Sequence, residues 1–109
     1  MTFQQDTELT PVIFRRMMKR HGGEIVALFP TIPGTYDPYT CTDYVHVGQH
    51  GSADPQFCIA NSYKAKPAEY AELARELESA PYGYRLKIYS RLQPSFLDDR
   101  KRALAAMKA

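Results

Sequence analysis

The residues best suited to chemistry lie in one short run between Cys41 and Cys58. This run contains both cysteines of the chain and two of its three histidines, His46 and His50. Cysteine and histidine are common zinc ligands, and four of them in a tetrahedral arrangement form a structural site. The spacing Cys-x4-His-x3-His-x7-Cys departs from the short Cys-x2–4-Cys pairs of such sites, and a strand would point Cys41 and His46 to opposite faces. We therefore expect no metal or other cofactor. If a metal binds, these four residues are its ligands.

The same run allows a catalytic interpretation. His46 at the end of a strand, His50 in a loop flanked by glycines, and Asp54 supply a base, a positioning imidazole and an orienting carboxylate. Such groups have to converge within hydrogen-bond reach of one another. The sequence lacks the G-x-S-x-G, H-E-x-x-H and P-loop motifs. A small hydrolytic or metal-assisted enzyme is therefore the alternative hypothesis, and the leading hypothesis assigns no catalytic residue.

A third interpretation treats the run as structural. Cys41 and Cys58 are then small core residues, as free cysteines usually are. His46 and His50 hold the loop through hydrogen bonds to the backbone. A rigid loop of this kind is also a surface for contact with a ligand or partner. We therefore predict His46, Gln49 and His50 as binding residues.

A second candidate site follows from the alternation within residues 84–92. Leu86 and Ile88 are expected to point inward, and the opposite, open face is basic with one aromatic ring: Arg85, Lys87, Tyr89 and Arg91. Cations for phosphate and a ring for base stacking are the elements of a nucleic-acid surface. The other interpretation is a solvated face that pairs with the glutamates of the preceding helix.

Length and composition predict one domain. Residues 1–10 are expected to form a flexible polar lead, and residues 11–109 a single domain. A net charge of +2 is too small to indicate nucleic acid or membrane by itself. The polar start of the chain resembles no signal peptide, and no apolar run approaches the roughly 20 residues that span a bilayer. We therefore expect a reduced, cytoplasmic protein without a membrane partner.

Periodicity predicts an α+β fold: a three- or four-stranded, mostly antiparallel sheet with two helices, in the order β-β-β-(β)-α-β-α. Gly22 and Gly23 predict a tight turn between the first two strands. One helix is predicted to begin at Pro67. A second, C-terminal helix is predicted to begin after a cap at Ser95. The predicted strands are residues 12–19, 24–29, 41–47, the bracketed 57–64, and 84–92. Residues 30–38 are expected to be a break and residues 48–55 a loop.

Four segments occur in the order that a known family shows: Val12-Ile13-Phe14-Arg15, Ala27-Leu28-Phe29-Pro30, Val45-His46-Val47-Gly48-Gln49-His50-Gly51 and Pro67-Ala68-Glu69-Tyr70. With these F-R, A-L-F-P, H-x-G-Q-H and P-x-E-Y patterns the chain resembles small proteins encoded on phages, plasmids and other mobile elements of bacteria. The resemblance covers residues 12–92 and implies a bacterial, cytoplasmic, accessory role. The family has no established activity, so the resemblance assigns no catalytic residue.

These observations predict a small cytoplasmic accessory or interaction module of mobile-element type. It would contact an unknown protein or nucleic acid without catalysis. A homodimer is a further arrangement that the sequence leaves open. The enzyme that would use His46 and His50 remains the alternative.

Overall fold

The computed structural model describes residues 8–45 and 50–108. Over these residues the fold is α+β, with a six-stranded mixed sheet and three α-helices. The strands are β1 (Thr10–Met17), β2 (Ile25–Pro33), β3 (Cys41–Tyr44), β4 (His50–Ala53), β5 (Ser62–Lys64) and β6 (Leu86–Tyr89). The helices are α1 (Pro55–Ala60), α2 (Pro67–Glu78) and α3 (Pro94–Lys108). The predicted fold class is therefore confirmed, whereas three or four strands and two helices were too few.

The hairpin of β1 and β2 is the centre of the sheet. The two strands pair antiparallel, with Ile13 opposite Leu28. Their connection contains a 3-10 turn, and Gly22 and Gly23 follow it with φ of 106° and 71°. Glycine adopts such positive φ angles without the steric cost of a Cβ atom. The predicted hairpin is confirmed, but its connection spans residues 18–24 with a 3-10 helix and is longer than the tight turn predicted from the glycines.

The sheet continues from this hairpin in both directions. On one side β3 pairs with β2 and β4 pairs with β3, all antiparallel. On the other side β5 and β6 both pair with β1: β5 runs antiparallel beside Arg15–Met17 and β6 runs parallel beside Thr10–Ile13. The carboxyl ends of β5 and β6 therefore approach each other at Phe14. We call this gap between the two strand ends the fork.

Both faces of the sheet are covered. Residues along β1 and β2 are apolar at successive positions, which is typical of strands buried on both sides. One face packs against α2 with the cluster Val12, Phe14, Ala27, Phe29, Tyr44, Ala65, Leu73 and Leu77. The other face packs against α1 and α3 with the cluster Ile13, Val26, Leu28, Cys41, Cys58 and Phe96. Helix α3 thus lies on the face of the sheet opposite α2.

Helix α2 begins as the sequence predicts, with Pro67 in its first turn. The Glu69 carboxylate accepts the backbone N–H of Lys66 at 2.8 Å and Nε of Arg16 at 2.7 Å. The hydrogen bond from the Lys66 N–H is the largest cause that lowers the pKa of Glu69 below its usual range, and the hydrogen bond from Arg16 is the next largest. The glutamate therefore joins the start of the helix to β1.

The predicted strand over residues 57–64 is wrong for its first half. Residues Pro55–Ala60 form α1, and only Ser62–Lys64 is a strand. Asp54 is the reason: its Oδ1 accepts the N–H of Gln56 at 2.9 Å and that of Phe57 at 3.4 Å. An aspartate cap followed by proline is a strong helix start, and it overrides the β propensity of the residues that follow.

Several other boundaries differ from the prediction. Strand β1 is Thr10–Met17 and not residues 12–19, and β6 is Leu86–Tyr89 and not residues 84–92. Of the predicted strand 41–47, residues 46–47 lie outside the described residues. Strand β2 continues to Pro33, with a register shift between Phe29 and Pro33 that accommodates the prolines within it. The predicted loop over residues 48–55 contains β4, because His50–Ala53 pairs antiparallel with β3 and His50 lies opposite Tyr44. Helix α3 begins at Pro94, so Ser95 lies inside the helix and is not its cap.

Candidate functional site: a basic sheet edge

The histidine and cysteine residues do not form one site in the described chain. His46 and Gln49 lie outside the described residues. His50 is the cross-strand partner of Tyr44, so both side chains lie on the α2 face of the sheet. Cys41 and Cys58 lie in the cluster on the other face. Among residues 8–45 and 50–108, no three His, Cys, Asp or Glu side chains are grouped as metal ligands.

Both cysteines are buried free thiols. Burial raises the pKa of Cys41 to about 12, against a smaller opposing effect of Arg100. Burial also raises the pKa of Cys58. Since the thiolate is the nucleophile and the metal ligand, these pKa shifts disfavour both roles at neutral pH. The two side chains pack as apolar groups, as the structural interpretation of the run expects.

His50 and Asp54, two members of the hypothetical catalytic set, have different surroundings. The ring centroid of His50 is 4.6 Å from that of Tyr44 and 5.4 Å from that of Tyr82. Asp54 caps α1 through its Oδ1. In the described chain no hydrogen bond or ion pair joins His50 to Asp54, so the carboxylate does not orient this imidazole.

Tyr44 is the centre of the cluster around His50, and sequence reasoning missed it. Its side chain is fully buried, and its hydroxyl donates to the carboxylate of Glu76 on α2. The hydroxyl of Tyr82 lies 3.4 Å from that of Tyr44. A buried tyrosine hydroxyl requires a partner, and Glu76 supplies it. The cluster therefore ties β3 to α2 beneath an exposed histidine.

The second predicted site is partly assembled as expected. Arg85, Lys87 and Arg91 are exposed at β6 and its two ends. Tyr89, predicted to face solvent, is half-buried and packs edge-on against Phe96 at a centroid distance of 5.1 Å. Ile88, predicted to point inward, is 48% exposed. Leu86 packs against the α2-side core and Lys87 is exposed, as predicted, so only the burial of Ile88 and Tyr89 differs, because α3 covers Tyr89. Lys87 Nζ lies 5.4 Å from the centroid of the Tyr89 ring.

Strand β5 adds cations that the sequence analysis did not connect with β6. Both strands border the same side of β1, and exposed cations lie along them. We call this set the basic edge: Lys64, Lys66, Arg85, Lys87 and Arg91. Residues 61–68 and 79–97 contain no aspartate or glutamate. That charge bias was visible in the sequence, but the pairing that unites the two segments was not.

A groove of about 270 Å³ opens at the fork. The rings of Phe14 and Tyr70 stack in its wall with centroids 4.4 Å apart and planes 6° apart. Lys64 borders the groove at the end of β5, and Ser90 borders it after β6. The groove therefore combines an aromatic wall with a cation and a hydroxyl at the basic edge.

A larger open cleft of about 650 Å³ lies between the starts of α1 and α3. Arg100 lies in its wall, and this guanidinium is almost fully buried. Its Nε donates to the carbonyl of Pro38 at 2.7 Å and its Nη1 to that of Pro30 at 2.6 Å. These bonds make Arg100 a structural clamp on the loop that follows β2. Size alone does not make this cleft the better site, since the exposed cations of the basic edge lie elsewhere.

Comparison with known proteins adds no assignment. No protein-family model, curated protein or solved structure matches the chain. Within the described residues, no helix has both the length and the apolar character needed to cross a membrane.

Proposed function

We propose that the protein is a small interaction module that binds nucleic acid along the basic edge without catalysis. The observation that carries this proposal is the charge of the edge. Five exposed cations lie on and beside two strands that share one side of β1, in segments free of carboxylates. Phosphate groups are the ligands that such a row of cations attracts, and their neutralisation releases counterions.

The rest of the surface favours the same location. The exposed glutamates Glu72 and Glu78 lie on α2, where they repel phosphate. Tyr63 on β5 is 57% exposed beside the basic edge and offers a ring for stacking. A nucleic-acid strand would therefore follow the edge of the sheet and not the face of α2.

A binding role is favoured over the enzyme that would use His46, His50 and Asp54. His50 packs beside aromatic rings, Asp54 caps a helix, and burial raises the pKa of both thiols. We also propose a cytoplasmic, accessory role on a bacterial mobile element, which the four sequence segments support. A protein partner at the same edge is the competing version of this function.

The test is a change in the salt dependence of binding. Fluorescence anisotropy would follow a labelled oligonucleotide over a series of salt concentrations, with wild type and the triple variant Lys64→Ala, Lys87→Ala and Arg91→Ala. We expect weaker binding and a slope of log K against log[salt] that is less steep by about two, because three phosphate contacts are lost.

A matched variant controls for net charge. Arg75→Ala, Lys101→Ala and Arg102→Ala remove the same charge from exposed positions on α2 and α3. This control should keep most of the affinity and the wild-type slope. Absence of salt-dependent binding by wild type, or equal losses in both triple variants, would overturn the proposal.

A further inference from the structure

We infer that the fork groove receives one unpaired nucleobase, so that the nucleic acid bound at the basic edge is single-stranded. This inference rests on the proposed function. It adds the class of nucleic acid and a site for the base.

The groove exists because two strands end at the same place. Lys64 ends β5 and Tyr89 ends β6, and both strand ends approach Phe14 from opposite directions along β1. Beyond these ends the chain leaves the sheet towards α2 on one side and towards α3 on the other. Ala65, just after β5, still donates its N–H to the carbonyl of Phe14 at 3.3 Å. The groove therefore lies over this junction, with the buried side chain of Phe14 at its floor.

The wall of the groove suits a flat ring. Phe14 is buried and holds Tyr70 in place by stacking on one side of its ring at 4.4 Å, so the half-buried Tyr70 offers the ring surface, and Ile88 and Tyr89 add apolar surface. A volume of about 270 Å³ falls just below the range of pockets for drug-sized ligands and is suited to a single ring system. Aromatic side chains bind bases by stacking whatever the sequence, since every base has a π-face.

The polar groups at the mouth distinguish a base from an apolar side chain of a protein. Lys64 and Ser90 border the groove, and Arg91 follows directly. Lys64 at the mouth can pair with a phosphate of the strand that carries the base, and Arg91 lies next in the chain after Ser90. The Ser90 hydroxyl can donate to or accept from the edge of the base. A base in a duplex is stacked and paired, so it cannot enter unless it is extruded from the helix.

Three probes with the same number of phosphates distinguish the contribution of base stacking to the affinity from the contribution of phosphate charge. They are a single-stranded oligonucleotide, the same strand with abasic sites in place of its bases, and a short duplex of matching charge. At one salt concentration we expect the affinity of wild type for the single strand to exceed its affinity for the abasic strand by about tenfold or more. This is the gain in affinity expected from stacking one base on an aromatic side chain. The duplex should bind no more tightly than the abasic strand.

The variant Ser90→Leu fills the groove with an apolar side chain and leaves the charge unchanged. Ser90 is exposed, so the substitution should be tolerated, and retained binding of the abasic strand reports an intact fold and edge. We expect the variant to bind the normal and abasic strands equally. Ser95→Leu, at an exposed position in the first turn of α3, is the matched control and should keep the wild-type preference.

The outcomes distinguish the two proposals. Equal, salt-dependent binding of all three probes by wild type would overturn the inference that the groove receives a base, and would leave the basic edge as a purely electrostatic surface. An unchanged preference of Ser90→Leu for the normal strand over the abasic strand would also overturn this inference. Failure of wild type to bind any of the probes would overturn the proposed function itself, and the inference with it.

Discussion

Cys41 illustrates how one position in the fold decides the chemistry of a side chain. The residue lies on the face of β3 that packs beneath α3, and none of its surface is exposed. Burial disfavours the charged thiolate and raises the pKa of the thiol to about 12. The neighbouring Arg100 opposes this effect without reversing it. A residue type that suggested catalysis or metal binding in the sequence is therefore a packing group here.

We predict that neither cysteine of the native protein reacts appreciably with a thiol reagent at pH 8. The raised pKa of Cys41 and of Cys58 keeps both thiols protonated there, and the reactive thiolate appears only as the pH approaches the pKa. The measurement is the rate of reaction with a chromogenic disulfide, before and after addition of denaturant. Both thiols should react in denaturant. Rapid labelling of either one in the native protein would contradict the prediction.

At the scale of elements, Arg100 fixes α3 to the chain that leaves β2. Its guanidinium donates to two carbonyls, those of Pro30 and Pro38. The prolines in this stretch have no N–H groups and cannot take part fully in a β ladder. The arginine therefore supplies donors to a segment that regular pairing cannot satisfy.

We predict that Arg100→Met lowers the free energy of unfolding by about 2–4 kcal/mol. The change removes two charge-assisted hydrogen bonds, and the buried carbonyl of Pro30 is left without this donor. Urea denaturation followed by circular dichroism measures the loss. Arg102→Met is the control: this exposed arginine pairs with Asp99 on the helix surface, and its replacement should cost less than about 1 kcal/mol. Equal losses of unfolding free energy in the two variants would contradict the role of Arg100 as a structural clamp.

Elements with a strong local signal could be predicted from the sequence. The hairpin of β1 and β2 has apolar strands and two glycines at the turn, and α2 has an apolar stripe after Pro67. Strand β4 was missed because its residues His50–Ala53 include a glycine and lack alternation. The cap at Asp54 was a readable signal for α1 that the apolar residues after it obscured.

The candidate site was predictable only in part, for a related reason. The cations around β6 are visible in the sequence, and Lys64 is equally visible in β5. What joins them is pairing with the same side of β1, which depends on contacts between distant segments. The burial of Tyr89 likewise depends on α3. Local alternation shows that β6 has two faces, but the rest of the fold decides which residues on each face are covered.

At the scale of the whole molecule, α3 completes the second core. Phe96 and Leu104 are buried, and Phe96 belongs to the cluster on the face opposite α2. Without this helix the apolar residues Ile13 and Leu28 would face water on that side. A chain of 109 residues has little stability to lose, since single domains are stable by only about 5–15 kcal/mol.

We predict that a chain ending at Gln93 does not unfold cooperatively. The truncation removes Phe96, Leu104 and the clamp of Arg100, each of which contributes on the order of a few kcal/mol. Thermal and urea denaturation, followed by circular dichroism and by tyrosine fluorescence, test this. The full chain should give one sharp transition in both signals. A truncated chain with a similar sharp transition would show that α3 is dispensable.

The parallel pairing of β1 with β6 has a consequence for synthesis of the protein. Thr10 pairs with Leu86, so one side of β1 has to wait for β6, which follows the other described strands in the chain. Translation proceeds from the N-terminus, and until β6 emerges the apolar residues Val12 and Ile13 lie on a strand with an unfilled edge. Such an edge is a template for pairing with another chain. Pairing across this sequence separation also slows folding, so the nascent protein is most exposed to aggregation just before β6 and α3 are made.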